Sequence, residues 1–448
     1  MASPALAPLS GLKPVTRLQA WGTVALLFLA SIVSVIDRTI LNVVVDSVKA
    51  ELAINDIQIS LLQGIAFGLF YATMGVWLGL VADRTARRNL IIGGIALWSI
   101  ATIGGGLAHN FGSLFLFRML VGLGEAALSP AAISLIADLF PEGKRGRPIG
   151  IFLMGQALAN GISISVTGAL LAAAARGDLA HIPFFADLSA WRIVFLVCGV
   201  AGLFVSAAFL LTREPPRERK TASANLGAQA AQAFRYFRQE RGQYLGIYLG
   251  FAVFFLGAYG AGVWQIAMIS RKFGLSAATV AAMFGPLAIG FGLAGPLIGG
   301  FIVDAIVRRR GTAGLPWLLA VTPLLVIPSA MAVMAPTPLL AAISCASQSG
   351  IAAIIGSATL AYLQSSVPPE MRGISVSLTG LLNTLIGSAL GPTLVAVLTD
   401  KLFADPAMVG WGIFWVSVPA YLVSALLYAT VALRIRRRAR TSEVPAHV

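Results

Sequence analysis

The chain has 448 residues, 58% hydrophobic and 11% charged, with a formal net charge of +14 and a mean hydropathy of +0.86. A soluble domain carries roughly 25% charged residues, so this composition excludes a water-soluble multidomain protein. It fits an integral membrane protein, and the placement of the basic residues, in short segments between apolar runs and in RIRRRAR at 434–440, excludes a nucleic-acid-binding surface.

Taken in chain order, the first segment, 1–19, carries Lys13 and Arg17 and reads as a cytoplasmic tail; its apolar continuation has no cleavage pattern of a signal peptide. Apolar runs of about 20 residues or more, enough to cross a bilayer, then follow at 20–48, 57–82, 89–108, 112–140, 147–174 and 190–212. A hydrophilic stretch at 213–243 interrupts them. Six more runs occur at 244–270, 277–306, 314–335, 338–367, 373–400 and 408–433. The expected fold is all-α and membrane-integral, with twelve transmembrane helices in two six-helix bundles at 20–212 and 244–436. A cytoplasmic central loop at 213–243 joins them and a tail at 437–448 follows.

Lys13, Arg17, Arg84, Arg87, Arg88, Lys144, Arg145, Arg147, the 213–241 cluster, Arg308–Arg310, Arg372 and the C-terminal arginines all fall on one side of such a path. The other side holds only Lys49, Arg176, Arg271, Lys272 and Lys401. Positive charge is retained on the cytoplasmic side, so both termini are expected there, in a bacterial inner membrane. The central AQAAQAFRYFRQER has two readings: a basic amphipathic helix lying on the membrane surface, or a plain linker. The two cysteines, Cys198 and Cys345, lie in apolar runs, and the three histidines, His109, His181 and His447, lie in loops or the tail. Neither set suggests a disulfide framework or a metal site, and no cofactor is expected.

Four charges interrupt apolar runs: Asp37 and Arg38 in the first, Arg118 and Glu125 in the fourth. Such charges face an internal cavity or a partner and mark function by default. Counting along antiparallel helices puts Asp37 about 12 Å and Arg118 about 9 Å from the outer ends of their runs, at similar depth. Glu125 lies seven residues on, almost two turns down the same face. Asp37 and Arg38 point about 100° apart, so each needs a partner elsewhere, and Arg118 and Glu125 supply the opposite signs. The set is formally neutral, which limits the penalty of burial. Asp37 and Glu125 are the expected proton-coupling groups. Arg38 and Arg118 are the expected counter-charges, one of them contacting an anionic head group. The competing reading is a permanent salt-bridge network that only joins the first and fourth helices.

The two halves repeat. Gly79-x3-Asp83-x3-Arg87-Arg88 reappears as Gly300-x3-Asp304-x3-Arg308-Arg309, Pro141-x3-Arg145-Gly146 as Pro368-x3-Arg372-Gly373, and Trp191-x-Ile193 as Trp411-x-Ile413. Three matches in the same order imply a six-plus-six duplication, a transporter architecture with its substrate site between the repeats. Gly79, Asp83, Arg87, Arg88, Asp304 and Arg308 are the expected cytoplasmic gate, with topology alone as the competing reading. The second half has no charge in its seventh and tenth runs and offers Tyr248, Tyr259, Trp264, Gln265, Gln348 and Tyr362 instead. Asn42, Gln63, Gln156, Asn160 and Asn383 complete the cavity candidates.

GLVADRTARR at 79–88 resembles the cytoplasmic signature loop of the major facilitator superfamily, with Ala86 where that loop usually has glycine. Asp37-Arg38 followed by Asn42-Val43-Val44-Val45 resembles the spinster family within it. So do Arg118…Glu125-Ala126, Ala137-Asp138-Leu139-Phe140-Pro141, Arg213-Glu214-Pro215-Pro216-Arg217, and Trp264 followed by Gly274-Leu275-Ser276. The resemblance implies the major facilitator fold and transport of amphiphilic lipids such as lysophospholipids or sphingosine phosphates. Symporters that couple small organic anions, such as sugar acids, to protons carry similar charge pairs and are the alternative. The expected partners are the amphiphilic substrate, protons and membrane lipids, with the chain acting as a monomer. No catalytic constellation suggests an enzyme, and no Gly-x4-Gly-Lys-Ser/Thr loop suggests a nucleotide-driven pump.

Overall fold

Apolar residues surround most of these helices rather than forming one stripe, the pattern of segments buried in lipid or in a bundle. The computed structural model describes residues 15–82, 85–179, 181–215, 235–368 and 371–442. Twelve helices among them are long and apolar enough to cross a membrane. They are α1 (Arg17–Val43), α2 (Asp56–Gly79), α3 (Arg87–Gly106), α4 (Phe111–Leu139), α5 (Gly146–Ala175) and α6 (Ala190–Leu211). After the central loop come α7 (Arg241–Phe273), α8 (Ala277–Arg310), α9 (Thr312–Met334), α10 (Pro338–Ser366), α11 (Arg372–Phe403) and α12 (Pro406–Arg438).

Each coincides with one expected run, and the ends differ where capping or charge decides them. The first run ends early: α1 stops at Val44 (φ −104°, ψ 16°), and a separate short helix, Val45–Leu52, carries the chain on to Ala53 at φ 50°. Asn55 then caps α2 by accepting from the Gln58 backbone N–H at 2.8 Å. Twelve crossings return the chain to the side where it began, so both ends share one face, here the terminal face; the opposite face is the distal face.

In the first half α1 packs on α5, α3 on α4 and α6, and α2 on α4; in the second, α7 packs on α12 and α11, α8 on α10, and α9 on α10 and α12. α1 touches α7 and α8, and the halves join mainly through α5 with α8 and α2 with α11. Close approach there needs glycine: a Cβ on Gly161 would sit 2.4 Å from the Ile289 nitrogen, and one on Gly168 2.4 Å from the Ala281 Cβ. The sequence repeat has a structural counterpart. The Arg145 Nε donates to the Phe140 carbonyl at 3.0 Å after α4, and the Arg372 Nε to the Val367 carbonyl at 3.3 Å after α10.

Hydrogen bonds between the halves gather at the distal face. Arg271, at the end of α7, donates to Asp46 at 2.7 and 3.0 Å and to Asp56 at 3.0 and 3.1 Å. Lys49 pairs with Asp56 from the other side. Asp400, at the end of α11, accepts from the Ile57 backbone N–H at 2.9 Å, placing a carboxylate at the positive N-terminus of α2. Deeper, Gly64 and Gly68 of α2 abut Ser388 and Thr384 of α11. Further toward the terminal face, Gly75 and Gly79 of α2 and Gly380 and Gly373 of α11 have open space where a Cβ would stand. The halves are closed distally and part toward the terminal face.

Candidate functional site

Asp37 and Arg38 sit two turns before the end of α1; Arg118 and Glu125 lie on α4, which breaks at Ala126 and resumes at Leu128. Arg38 Nη2 pairs with Glu125 Oε2 at 2.8 Å. The same oxygen accepts from Ser34 Oγ, one turn earlier on α1, at 2.8 Å. The Glu125 side chain is fully buried and the Arg38 side chain 37% exposed. Arg38 lies over Phe67 (4.6 Å) and Tyr71 (5.0 Å), two stacked rings one turn apart on α2. Glu125, Ser34 and the two rings fix the guanidinium while leaving one side open. That side meets a cavity of about 210 Å³ lined by Ser31, Ser34, Tyr71, Glu125, Ser129 and Gln156 among others.

The other two charges behave differently from the expected neutral quartet. Arg118 is 2% exposed and donates to carbonyls: Asp37 O at 2.8 Å, Arg38 O at 2.9 Å and Leu62 O at 3.4 Å. It clamps the backbone of α1 against α2 and is sealed from any head group. The Asp37 carboxyl is fully buried and neither oxygen has a hydrogen-bond partner. It points away from the cavity, toward Trp98 and Thr102 of α3. Adjacent residues on α1 thus face different surroundings, consistent with their separation of about 100°.

On α7, Phe251, Phe255 and Tyr259 stand each a turn apart, with ring centroids 4.6 and 5.7 Å apart, and Tyr259 interacts with Arg38. Tyr259 is 36% exposed, and Asn383 Nδ2 donates to its hydroxyl at 3.4 Å. Asn383 opens a π-helical turn, Asn383–Ser388, of α11, a distortion common at functional sites. Gln156 is exposed to the cavity, and Asn42 and Asn160 are half-buried. Gln63 is buried with both amide atoms unpartnered.

The remaining second-half candidates lie elsewhere. Trp264 is fully buried and its Nε1 donates to the Pro392 carbonyl at 3.1 Å, tying α7 to α11. Gln348 accepts from Gln265 and Ser329, each at 3.1 Å, and donates to the Ala258 carbonyl at 2.7 Å. Tyr248 bonds Ser375, and Tyr362 accepts from Gln243, both near the terminal face. These side chains are satisfied inside the second bundle, so they hold its helices and do not line the cavity.

Of the expected gate, Asp83 lies outside the described residues. Arg87, 1% exposed, pairs with Asp138 and with Glu214 at 2.9 Å, and Arg88 donates to the Phe209 and Leu210 carbonyls at 3.1 and 2.7 Å. All these partners are in the first half. Asp304 and Arg308 are exposed, and Gly79 meets nothing. Among the described residues of the motif, Arg87 and Arg88 brace α3, α4 and α6 and bond to no residue of the second half. On the distal face, partial burial pushes the Glu51 carboxyl up, but hydrogen bonds from Ser189, Arg192 and Trp191 hold it below its ordinary value of 4.5.

Sequence reasoning missed Ser34, Phe67, Tyr71, Ser129, Trp98 and Thr102. Helical spacing carried the signal for some: Ser34 is four residues before Arg38, and Ser129 four after Glu125.

The sequence profile of the family described as Major Facilitator Superfamily matches residues 27–392. An MFS-type efflux pump of Mycolicibacterium smegmatis is 26% identical over 94% of this chain and 94% of its own. A probable L-galactonate transporter of Escherichia coli is 28% identical over 65% of this chain and 64% of its own length. A bacterial homolog of the human lysosomal transporter Spinster, solved in an inward-facing, unoccupied conformation, superposes with a TM-score of 0.80. It is 26% identical, and the match covers 96% of this chain and all of that one.

Proposed function

The chain belongs to the Major Facilitator Superfamily and is a multi-pass membrane transporter; on that premise we propose that it moves an anionic amphiphile of the lysolipid class by alternating access, with Asp37 carrying the coupled proton. The observation that carries this reading is the partly exposed Arg38 guanidinium, fixed by Glu125 and Ser34, opening on the cavity and interacting with Tyr259 at the end of the aromatic row Phe251–Phe255–Tyr259. Arg38 suits a charged head group, because a guanidinium donates in pairs to carboxylate or phosphate. The aromatic row suits an acyl tail. Asp37 supports coupling because an unpaired buried carboxylate is costly as an anion and a proton removes that charge.

The arginine-rich terminal face is taken as cytoplasmic by the positive-inside rule, which supports a distally closed, inward-facing state in a bacterial inner membrane. A second reading is a proton-coupled carrier of small organic anions. The polar serine and glutamine lining of the cavity, about 210 Å³, favours it, as does the similarity to a relative named a probable L-galactonate transporter.

Proteoliposomes loaded with labelled lysolipids or sugar acids, with and without a pH gradient, test both. The amphiphile reading requires gradient-driven lysolipid uptake that Arg38→Ala abolishes and Asp37→Asn uncouples. Uptake of sugar acids alone would transfer the function to the second reading, and full gradient-driven uptake by Asp37→Asn would remove the proton role.

A further inference from the structure

Behind α1, among the described residues, five buried polar atoms lack a partner: both Asp37 carboxyl oxygens, Trp98 Nε1, Ser99 Oγ and Thr102 Oγ1. Asp37, Ser99 and Trp98 are fully buried and Thr102 is 2% exposed. Buried polar groups are almost always satisfied, so a cluster of orphans in one place marks a site whose occupant or rotamer changes. Ser99 lies against Gly202 of α6, and Cys198 of α6 is within electrostatic range of the Asp37 carboxyl. The compartment is therefore bordered by α1, α3 and α6, with α4 alongside.

The donors and acceptors differ in kind. A tryptophan N–H only donates, so it serves an anionic carboxylate. A threonine hydroxyl donates to the carboxylate or accepts from the protonated acid. We propose that Trp98 and Thr102 are the positioning residues that hold Asp37 in its two protonation states, on a different face of α1 from the Arg38 substrate cavity. The inference rests on Asp37 as the proton carrier proposed above and adds where the proton is held. The proton and the substrate head group then occupy different faces of α1. They communicate through the Arg118 clamp on the carbonyls of residues 37 and 38.

The charged and titratable groups facing Asp37 are Arg118 and Glu125 of α4 and Cys198 of α6. Of the other helices packed on α1, α5 has only Arg147 at its terminal end, α3 has Arg87 and Arg88 at its start, and α8 has Asp304 and its arginines at its end. α7 presents Tyr259 to Arg38. A pH response of the site is therefore read against Arg118, Glu125 and Cys198.

Infrared difference spectroscopy on the purified, detergent-solubilised protein tests the assignment. The Asp37 carboxyl band is identified by its loss in Asp37→Asn and titrated in Trp98→Phe, Thr102→Val and Thr102→Ser. The expected result is a displaced band and a midpoint moved by about one pH unit in Trp98→Phe and Thr102→Val, the size of one hydrogen bond to an ionising group. Thr102→Ser should return both to wild type, which separates the hydroxyl from a packing effect. Unchanged bands and midpoints in the two folded variants would overturn the proposal, and so would the absence of any Asp37 band. Transport separates the premise: if wild-type uptake ignores a pH gradient, proton coupling fails while the spectra still decide the positioning role. In coupled transport the pH profile should move with the band while substrate counterflow keeps its wild-type rate.

Discussion

Arg271→Ala should open the distal face. Arg271 reaches from the second half to two carboxylates of the first, with its own side chain 10% exposed, Asp56 fully buried and Asp46 50% exposed. The Asp46 contact is worth only about 0–1 kcal/mol because water screens it. The Asp56 contact is the larger one. Charge-assisted hydrogen bonds contribute about 1.5–3 kcal/mol each, and removing one partner of a buried pair costs about 3–5 kcal/mol. Lys49 remains on Asp56 after the substitution and offsets part of that loss. A net bias of about 2–4 kcal/mol against the distally closed state follows, a shift of roughly 30- to 700-fold in the equilibrium between states. Spin labels at Ala50 and Ala407, both exposed distal positions, give the inter-half distance by pulsed electron resonance. Both native cysteines are buried. The expected outcome is a second, longer distance in Arg271→Ala and an intermediate population in Arg271→Lys, which keeps the charge but loses the fork. An unchanged distance distribution in a folded Arg271→Ala protein would refute the assignment of these bonds as the distal latch.

Three further outcomes follow from the same geometry. Glu214→Gln removes a charged partner from the nearly inaccessible Arg87 and should lower the thermal midpoint through loss of about 1–3 kcal/mol, with no change in the distal distance. Gly161→Val places branches where a Cβ already meets the Ile289 nitrogen at 2.4 Å; it should part α5 from α8 and abolish transport, read as lost uptake with a folded elution profile. Glu51 has a folded value below its ordinary 4.5, so the folded state binds its proton less well than the unfolded chain. Its stabilisation is full above that ordinary value and is lost as pH falls through the folded one. Glu51→Gln should lower the melting midpoint at neutral pH, where the charged form's stabilisation is full, and flatten the acid limb below about pH 4.5.

The spans were legible because hydropathy and length determine them, and the duplication because Arg145 and Arg372 repeat with their prolines. The importance of Asp37, Arg38, Arg118 and Glu125 was legible too, since few forces place charge in apolar runs. Their pairing was not. Depth and sign allow Asp37–Arg118 as readily as Arg38–Glu125, and which forms depends on helix rotation, which no one-dimensional pattern encodes. The distal latch was hidden for a related reason. Asp46, Asp56 and Arg271 read as ordinary loop charges, and only the approach of α7 to α2 gives them partners.

The two halves share more chemistry than their charges suggest. In the first, Arg118 of α4 donates to the Asp37 carbonyl of α1; in the second, Gln348 of α10 donates to the Ala258 carbonyl of α7. Residues 37 and 258 are separated by the same 221 positions as Asp83 and Asp304 in the repeated loops. Both halves therefore pin the corresponding turn of their first helix with a side chain from their fourth. The difference is that the arginine clamp sits beside a carboxyl that gains and loses charge in the proposed cycle, while the glutamine clamp is closed by Gln265 and Ser329. A clamp that feels a nearby charge can change its grip, whereas a neutral, satisfied one cannot. Gln348→Glu tests this asymmetry. A carboxylate there loses the donor to Ala258 and faces two acceptor-satisfying neighbours, so it should destabilise the second bundle without making transport more sensitive to pH. A steeper pH dependence in that variant would mean that the second half, too, is able to carry the coupling.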